Sequence, residues 1–130
     1  MIPGTNRRHP SFSHSFLFAL QGFRTALSTE RNIKMMLGGA VFAVVMGLIL
    51  RIDALSWVSV IICCGLVLST ELVNTAIETV VDLVSPEFHP LAGRAKDIAA
   101  AASWTVSIMA VIVAAIVYIR ALLILLGVIA

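Results

Sequence analysis

Apolar residues run through this chain in long blocks, and the few polar interruptions mark where its elements begin and end. The first pattern is periodic rather than continuous. Phe12, Phe16, Leu20, Phe23 and Leu27 follow one stripe at helical spacing, with His14, Gln21, Arg24 and Ser28 off it. That spacing predicts an amphipathic helix over 12–28, able to lie in a membrane interface or to pack against other helices. Ser28-Thr29-Glu30-Arg31-Asn32 breaks the stripe and offers capping side chains. Three apolar blocks follow, predicting membrane spans over 34–50, 56–84 and 98–119. The first is near the lower limit of ~17 residues for a spanning helix, and Gly38, Gly39 and Gly47 leave room there for close helix contact. Arg51-Ile52-Asp53 forms a polar turn. The second block is longer than a hydrocarbon core of about 30 Å requires, so its far end should emerge from the membrane. Ser85-Pro86-Glu87 ends it, because proline disfavours helical geometry at the preceding residue. A loop over 87–93 leads into Arg94-Ala95-Lys96-Asp97, and the third block opens on alanines suited to tight packing. Arg120 closes that block; an apolar tail, 121–130, follows. Residues 1–11 read as a flexible basic arm. No internal repeat is visible.

Composition turns this pattern into an all-α membrane protein: three transmembrane helices plus an N-terminal amphipathic surface helix, in one domain spanning 1–130. The 130 residues are 60% hydrophobic and 12% charged, with mean hydropathy +1.04. A soluble domain of this size has too little interior to hide so many apolar side chains. The net charge of +2 is too small to suggest a nucleic-acid partner. Cys63 and Cys64 are adjacent in an apolar run and lack partners at metal or disulfide spacing. The first thirty residues do not have the form of a cleavable signal peptide.

Charge sets the orientation. Arg7, Arg8, Arg24, Arg31, Lys34, Arg94 and Lys96 fall on one side of a three-span layout, and Arg51 and Arg120 on the other. Basic residues concentrate in the cytoplasm, so the N-terminus and the 85–97 loop are expected there, in a multi-pass protein of the inner (cytoplasmic) membrane.

The second span then presents an anomaly. Glu71, Asn74, Glu78 and Asp82 lie in the string ELVNTAIETVVD, and ionisable side chains inside a bilayer are costly and usually functional. At about 100° per residue, Glu71, Glu78 and Asp82 occupy one narrow arc, with Thr75 in it and Asn74 beside it. The face lies near the cytoplasmic surface, where Glu30 and the Lys96-Asp97 pair also sit. Phosphoryl transfer from ATP would suit such a set. It needs a divalent cation, positive charge at the phosphates and a proton acceptor for the attacking hydroxyl. Magnesium prefers hard oxygen ligands, which Glu30 and Glu78 could supply from two helices. Glu71, ~10 Å deeper than Glu78, could accept the proton of a hydroxyl arriving from the lipid. Lys96 could neutralise phosphate, and Asp97 could orient Lys96 or contact nucleotide. No Walker-type glycine loop or protein-kinase signature is present. Composition and spacing therefore stop at a functional acidic site on the cytoplasmic membrane surface. A small proton- or ion-conducting oligomer is as open a reading as an enzyme.

The string Glu71-Leu-Val-Asn74-Thr-Ala-Ile-Glu78-Thr-Val-Val-Asp82 resembles the signature of the small prokaryotic diacylglycerol kinase and undecaprenol kinase family. Glu87-Phe88-His89-Pro90 and Gly93-Arg94-Ala95-Lys96-Asp97 extend the resemblance, and Glu30 stands at the family's position before the first span. The similarity covers most of 12–120. It implies a homotrimer with sites shared between subunits, using Mg2+ and ATP to phosphorylate a membrane lipid alcohol. It implies Glu71 as catalytic base and Glu30 and Glu78 as metal-bridging carboxylates. Glu30, Glu78, Glu87, His89, Lys96 and Asp97 would form the ATP site, supported by Asn74 and Asp82. Glu30-Arg31-Asn32-Ile33-Lys34 and Pro86-Glu87-Phe88-His89-Pro90 resemble the undecaprenol branch, and undecaprenol is the preferred acceptor. Gly93-Arg94-Ala95-Lys96-Asp97 is closer to the diacylglycerol branch. That branch often carries a second acid shortly after the one at Glu30, where this chain has Met35 and Met36.

Simpler roles compete at several positions. Glu30 also suits a helix N-terminus, Lys96 and Asp97 a capping and snorkelling pair, and His89 loop packing. Trp57 and Tyr118 suit interface anchoring. Trp104 is too deep in its span for that and is expected to pack.

Overall fold

A computed structural model of the chain describes residues 12–129. The expected basic arm at 1–11 and the last residue of the tail lie outside them. Among the described residues there are four α-helices and no strand: α1 (Phe12–Thr29), α2 (Arg31–Leu50), α3 (Ala54–Val84) and α4 (Pro90–Leu125). The last three are long and apolar enough to cross a membrane. At 1.5 Å per residue, the 31 residues of α3 reach ~46 Å and the 36 of α4 ~54 Å, well beyond a core of about 30 Å.

The breaks between helices follow local chemistry. Glu30 alone separates α1 from α2. Its backbone is extended (φ −98, ψ 123), and its carboxylate makes no capping bond. Ser28 and Thr29, which were candidates for capping, remain inside α1, where both hydroxyls donate back to the carbonyl of Thr25. α2 ends on Arg51 in the left-handed conformation (φ 51), a position glycine usually holds. Asp53 then starts α3: Oδ1 accepts from the backbone N–H groups of Leu55 and Ser56, each at 3.0 Å. The three residues 51–53 thus reverse the chain. α3 ends at Val84, immediately before Ser85-Pro86.

α4 begins at Pro90 rather than near Ile98. Proline fits the first helical turn because it has no N–H to leave unpaired, and His89 Nδ1 caps the helix by accepting from Leu91 N–H at 3.2 Å. At its other end α4 runs past Arg120 to Leu125, absorbing half of the apolar tail.

α3 and α4 are antiparallel and form the most extensive helix pair, with α2 against both and α1 touching α2 and α3. Few side chains are enclosed: Ala26, Ile33, Ile52, Val60 and Ala99 are the buried apolar set. Gly47 is buried because Trp57 lies directly against it. Tyr118 Oη donates to the carbonyl of Ala43 at 2.8 Å, tying α4 to α2. Most other large apolar residues, including Phe42, Val111 and Ile116, face outward. This is the arrangement of a multi-pass membrane protein, in which lipid rather than water covers the apolar faces. Trp104 is 71% exposed, so it does not pack within the chain as its depth suggested, although its neighbour Ser103 is buried. On α1, Phe12, Phe16 and Leu20 of the apolar stripe are exposed, while Phe23 and Leu27 are half-buried.

Candidate functional site

The acidic face of α3 meets the first half of α4, and burial falls steadily along it. Glu71 and Asn74 are 4% and 6% exposed, Glu78 is half-buried, and Asp82 is exposed. The pairing with α4 explains how charged groups are held there. Lys96, Ala99 and Ser103 recur at i, i+3 and i+7, so they share one face of α4. Ala99 is small enough to let the helices approach.

Ser103 Oγ donates to Glu71 Oε2 at 2.6 Å, with both residues buried. One turn along α3, Asn74 Nδ2 donates to Glu78 Oε1 at 3.1 Å. Asn74 Oδ1 is buried without a hydrogen-bond partner. At the outer end Lys96 Nζ reaches Asp82 Oδ1 at 2.6 Å. The lysine is therefore held from α3, not by its neighbour Asp97, which is exposed. The other expected site residues stand at the rim. Glu87 and His89 are exposed in the α3–α4 connection, and the His89 ring is engaged through Nδ1, leaving Nε2 outward. Glu30 is half-buried at the α1–α2 break, with no ion pair or hydrogen bond joining it to Glu78.

Ser103 was not among the residues expected from sequence. It is the buried polar partner of the deepest carboxylate; it shares a face of α4 with Lys96, but its meeting with Glu71 follows from the register of α3 against α4.

Among the described residues no three or more His, Cys, Asp or Glu are grouped to hold a metal ion. The available donors at the acidic face are oxygen, the Glu78 carboxyl and the unpaired Asn74 Oδ1, with Glu30 standing apart at the α1–α2 break. Such a set matches a hard cation that keeps most of its ligands from phosphate and water.

An apolar groove of about 520 Å³ opens between α2, α3 and α4. Met36, Gly39, Cys63, Val67, Ser107 and Tyr118 are among its walls. Val67 and Ser107 each lie one helical turn from the Glu71–Ser103 pair, so the groove ends beside the deepest carboxylate.

The chain matches known proteins over nearly all of this architecture. The family model for prokaryotic diacylglycerol kinase matches residues 17–118. An undecaprenol kinase of Bacillus subtilis is 33% identical over 107 residues, covering 82% of this chain and 87% of that protein. A diacylglycerol kinase of Escherichia coli K12 is 38% identical over 95 residues, 73% of this chain and 78% of that protein. A diacylglycerol kinase of Helicobacter pylori 26695 is 36% identical over 88 residues, 68% and 69% of the two chains.

Proposed function

The chain belongs to the prokaryotic diacylglycerol kinase family, and from that membership we propose that it transfers the γ-phosphoryl group of ATP to the hydroxyl of undecaprenol at the cytoplasmic membrane interface. Membership makes the protein a lipid kinase and favours that activity over the ion-conducting alternative. The observation that carries the proposed chemistry is Glu71, a buried carboxylate that Ser103 holds beside the end of an apolar groove.

In this reading the acceptor's hydrocarbon chain lies along the groove and brings its hydroxyl to Glu71. The hydroxyl oxygen attacks the γ-phosphorus, its proton passes to Glu71, and the bond to the β-phosphate oxygen breaks to release ADP. Ser103 keeps the carboxylate oriented. Glu30 and Glu78 would hold Mg2+, which supplies positive charge to the phosphates, and Asn74 orients Glu78. Lys96 exchanges its contact with Asp82 for phosphate oxygens, while Glu87, His89 and Asp97 contact the nucleotide from the rim. In this reading the N-terminus and the site face the cytoplasm, which the Lys and Arg asymmetry supports. α1 lies at that surface with Phe12, Phe16 and Leu20 in the membrane interface. The family resemblance implies a homotrimer with shared sites, and part of the outward apolar surface, Trp104 included, is available for packing between subunits.

Undecaprenol is preferred to diacylglycerol on Glu30-Arg31-Asn32-Ile33-Lys34 and Pro86-Glu87-Phe88-His89-Pro90, and on the absence of an acid at Met35 and Met36. Purified protein given labelled ATP with each lipid tests this directly. Undecaprenyl phosphate is the expected main product; phosphatidic acid as the dominant product overturns the acceptor, and no phosphorylated lipid overturns the reaction.

A further inference from the structure

The two basic residues on the minority side of the membrane, Arg51 and Arg120, converge on one cleft. Basic charge is disfavoured on that side in general, which makes their meeting informative. The cleft has a volume of about 290 Å³ and lies between the end of α2 and the last turns of α4. Leu50, Val117 and Ile124 form an apolar wall, and Arg51, Asp53 and Arg120 form the polar one. It is ~27 Å along α3 from Glu71, at the opposite membrane face.

The charge is unevenly committed. Asp53 is already fully engaged: Oδ1 takes two backbone N–H groups and Oδ2 takes the Ser56 hydroxyl at 2.9 Å. Arg120 reaches Asp53 Oδ2 only through Nη1, at 3.4 Å. A guanidinium carries five N–H donors, so most of its capacity remains open. The Arg51 side chain makes no hydrogen bond or ion pair among the described residues. Two guanidiniums against one occupied carboxylate leave a net positive cleft, and guanidinium geometry suits the paired oxygens of a phosphate.

We propose that this cleft binds the phosphate of an anionic phospholipid headgroup, with Arg51 and Arg120 on the phosphate oxygens and the first carbons of the lipid along Leu50, Val117 and Ile124. A free phosphate offers the same oxygens but nothing for the apolar wall.

The test uses the full-length protein in nanodiscs of phosphatidylglycerol and phosphatidylcholine in equal amounts. After release into detergent, native mass spectrometry reads which lipid stays bound. The wild type is expected to retain phosphatidylglycerol preferentially, and Arg51→Gln to lower that preference on the order of fivefold, as expected for one guanidinium near a lipid surface. Arg51 is exposed and unpaired, so this variant leaves the fold intact. Arg120→Gln is expected to do the same, with its unfolding midpoint measured alongside because it also loses the Asp53 contact. Equal retention of both lipids by the wild type, or an unchanged preference in Arg51→Gln, overturns the proposal. Arg51-dependent binding of inorganic phosphate without any phosphatidylglycerol preference overturns the lipid assignment in favour of a free anion.

Discussion

The Ser103 hydroxyl donates to the Glu71 carboxylate at 2.6 Å across 32 positions of sequence, and both residues are sealed from solvent. A hydroxyl-to-carboxyl hydrogen bond this short fixes the orientation of the Glu71 side chain. In the proposed reaction Glu71 Oε1 is then the oxygen that faces the substrate. If Glu71 is the base, Glu71→Gln keeps the size and still accepts from Ser103 but cannot take a proton. Turnover should fall by roughly 10²–10⁴-fold with nucleotide affinity nearly unchanged. Parallel phosphorylation and nucleotide-binding assays check this, and loss of binding would reject the role.

Ser103→Ala removes the donor and leaves the buried Glu71 side chain without its hydrogen-bond partner. A stability loss of about 1–3 kcal/mol is expected, with a lower kcat and an unchanged KM for ATP. Ser103→Thr restores a hydroxyl and should recover part of kcat. A kcat equal to wild type in Ser103→Ala, despite reduced stability, would make the bond purely structural.

Glu78 accepts from Asn74 through Oε1, and glutamine can still accept there. Glu78→Gln should therefore fold normally while losing the charge proposed to hold the cation. The Mg2+ concentration for half-maximal activity is expected to rise by at least on the order of tenfold, since even indirect ligand support is worth that much. An unchanged magnesium dependence would remove Glu78 from the metal site.

A Cβ on Gly47 would stand 2.8 Å from Trp57 Cη2 and 3.0 Å from Ile52 Cδ1. Gly47→Ala should cost about 1–3 kcal/mol through overpacking at the α2–α3 turn. Gly22, with nothing within 4 Å, is the internal comparison: Gly22→Ala should be neutral or stabilising by roughly 0.5–1 kcal/mol from helix propensity. Thermal unfolding in one detergent reads both, and equal midpoints would show that the turn can relax.

The hydrogen bond from Ser56 N–H, followed by that from its hydroxyl, holds the Asp53 carboxyl below its ordinary value of 3.8. A depressed folded-state value means that the contribution is complete above the unfolded carboxyl's range and fades as pH falls through the folded one. The unfolding-midpoint difference between wild type and Asp53→Asn should be flat from about pH 7 to about pH 5 and shrink below about pH 4. A difference that is already shrinking near neutral pH would contradict the cap.

Hydropathy made the three long helices legible, and Ser85-Pro86 marked the end of α3 to the residue. Proline was also where the reading fell short. Pro90 serves equally as a breaker or as a first helical residue, and only the His89 cap decides it. The acidic arc was visible because helical phase within one element is arithmetic. Its partners were not. Lys96 choosing Asp82 over adjacent Asp97, and Ser103 meeting Glu71, depend on the register of two antiparallel helices, which no local pattern encodes. Trp104 shows the same limit: depth in a span says nothing of which way the ring faces.

Three contacts join α3 to α4 along their length: Asp53 with Arg120, Glu71 with Ser103, and Asp82 with Lys96. The exposed outer two contribute little energy singly, but all three require the same alignment. Sliding one helix past the other by a single turn would break every one together. The three contacts thus tie the pair to one register, and in the proposed reaction a movement that admits the lipid is expected as rocking or rotation against the neighbouring helices rather than as sliding along the α3–α4 seam.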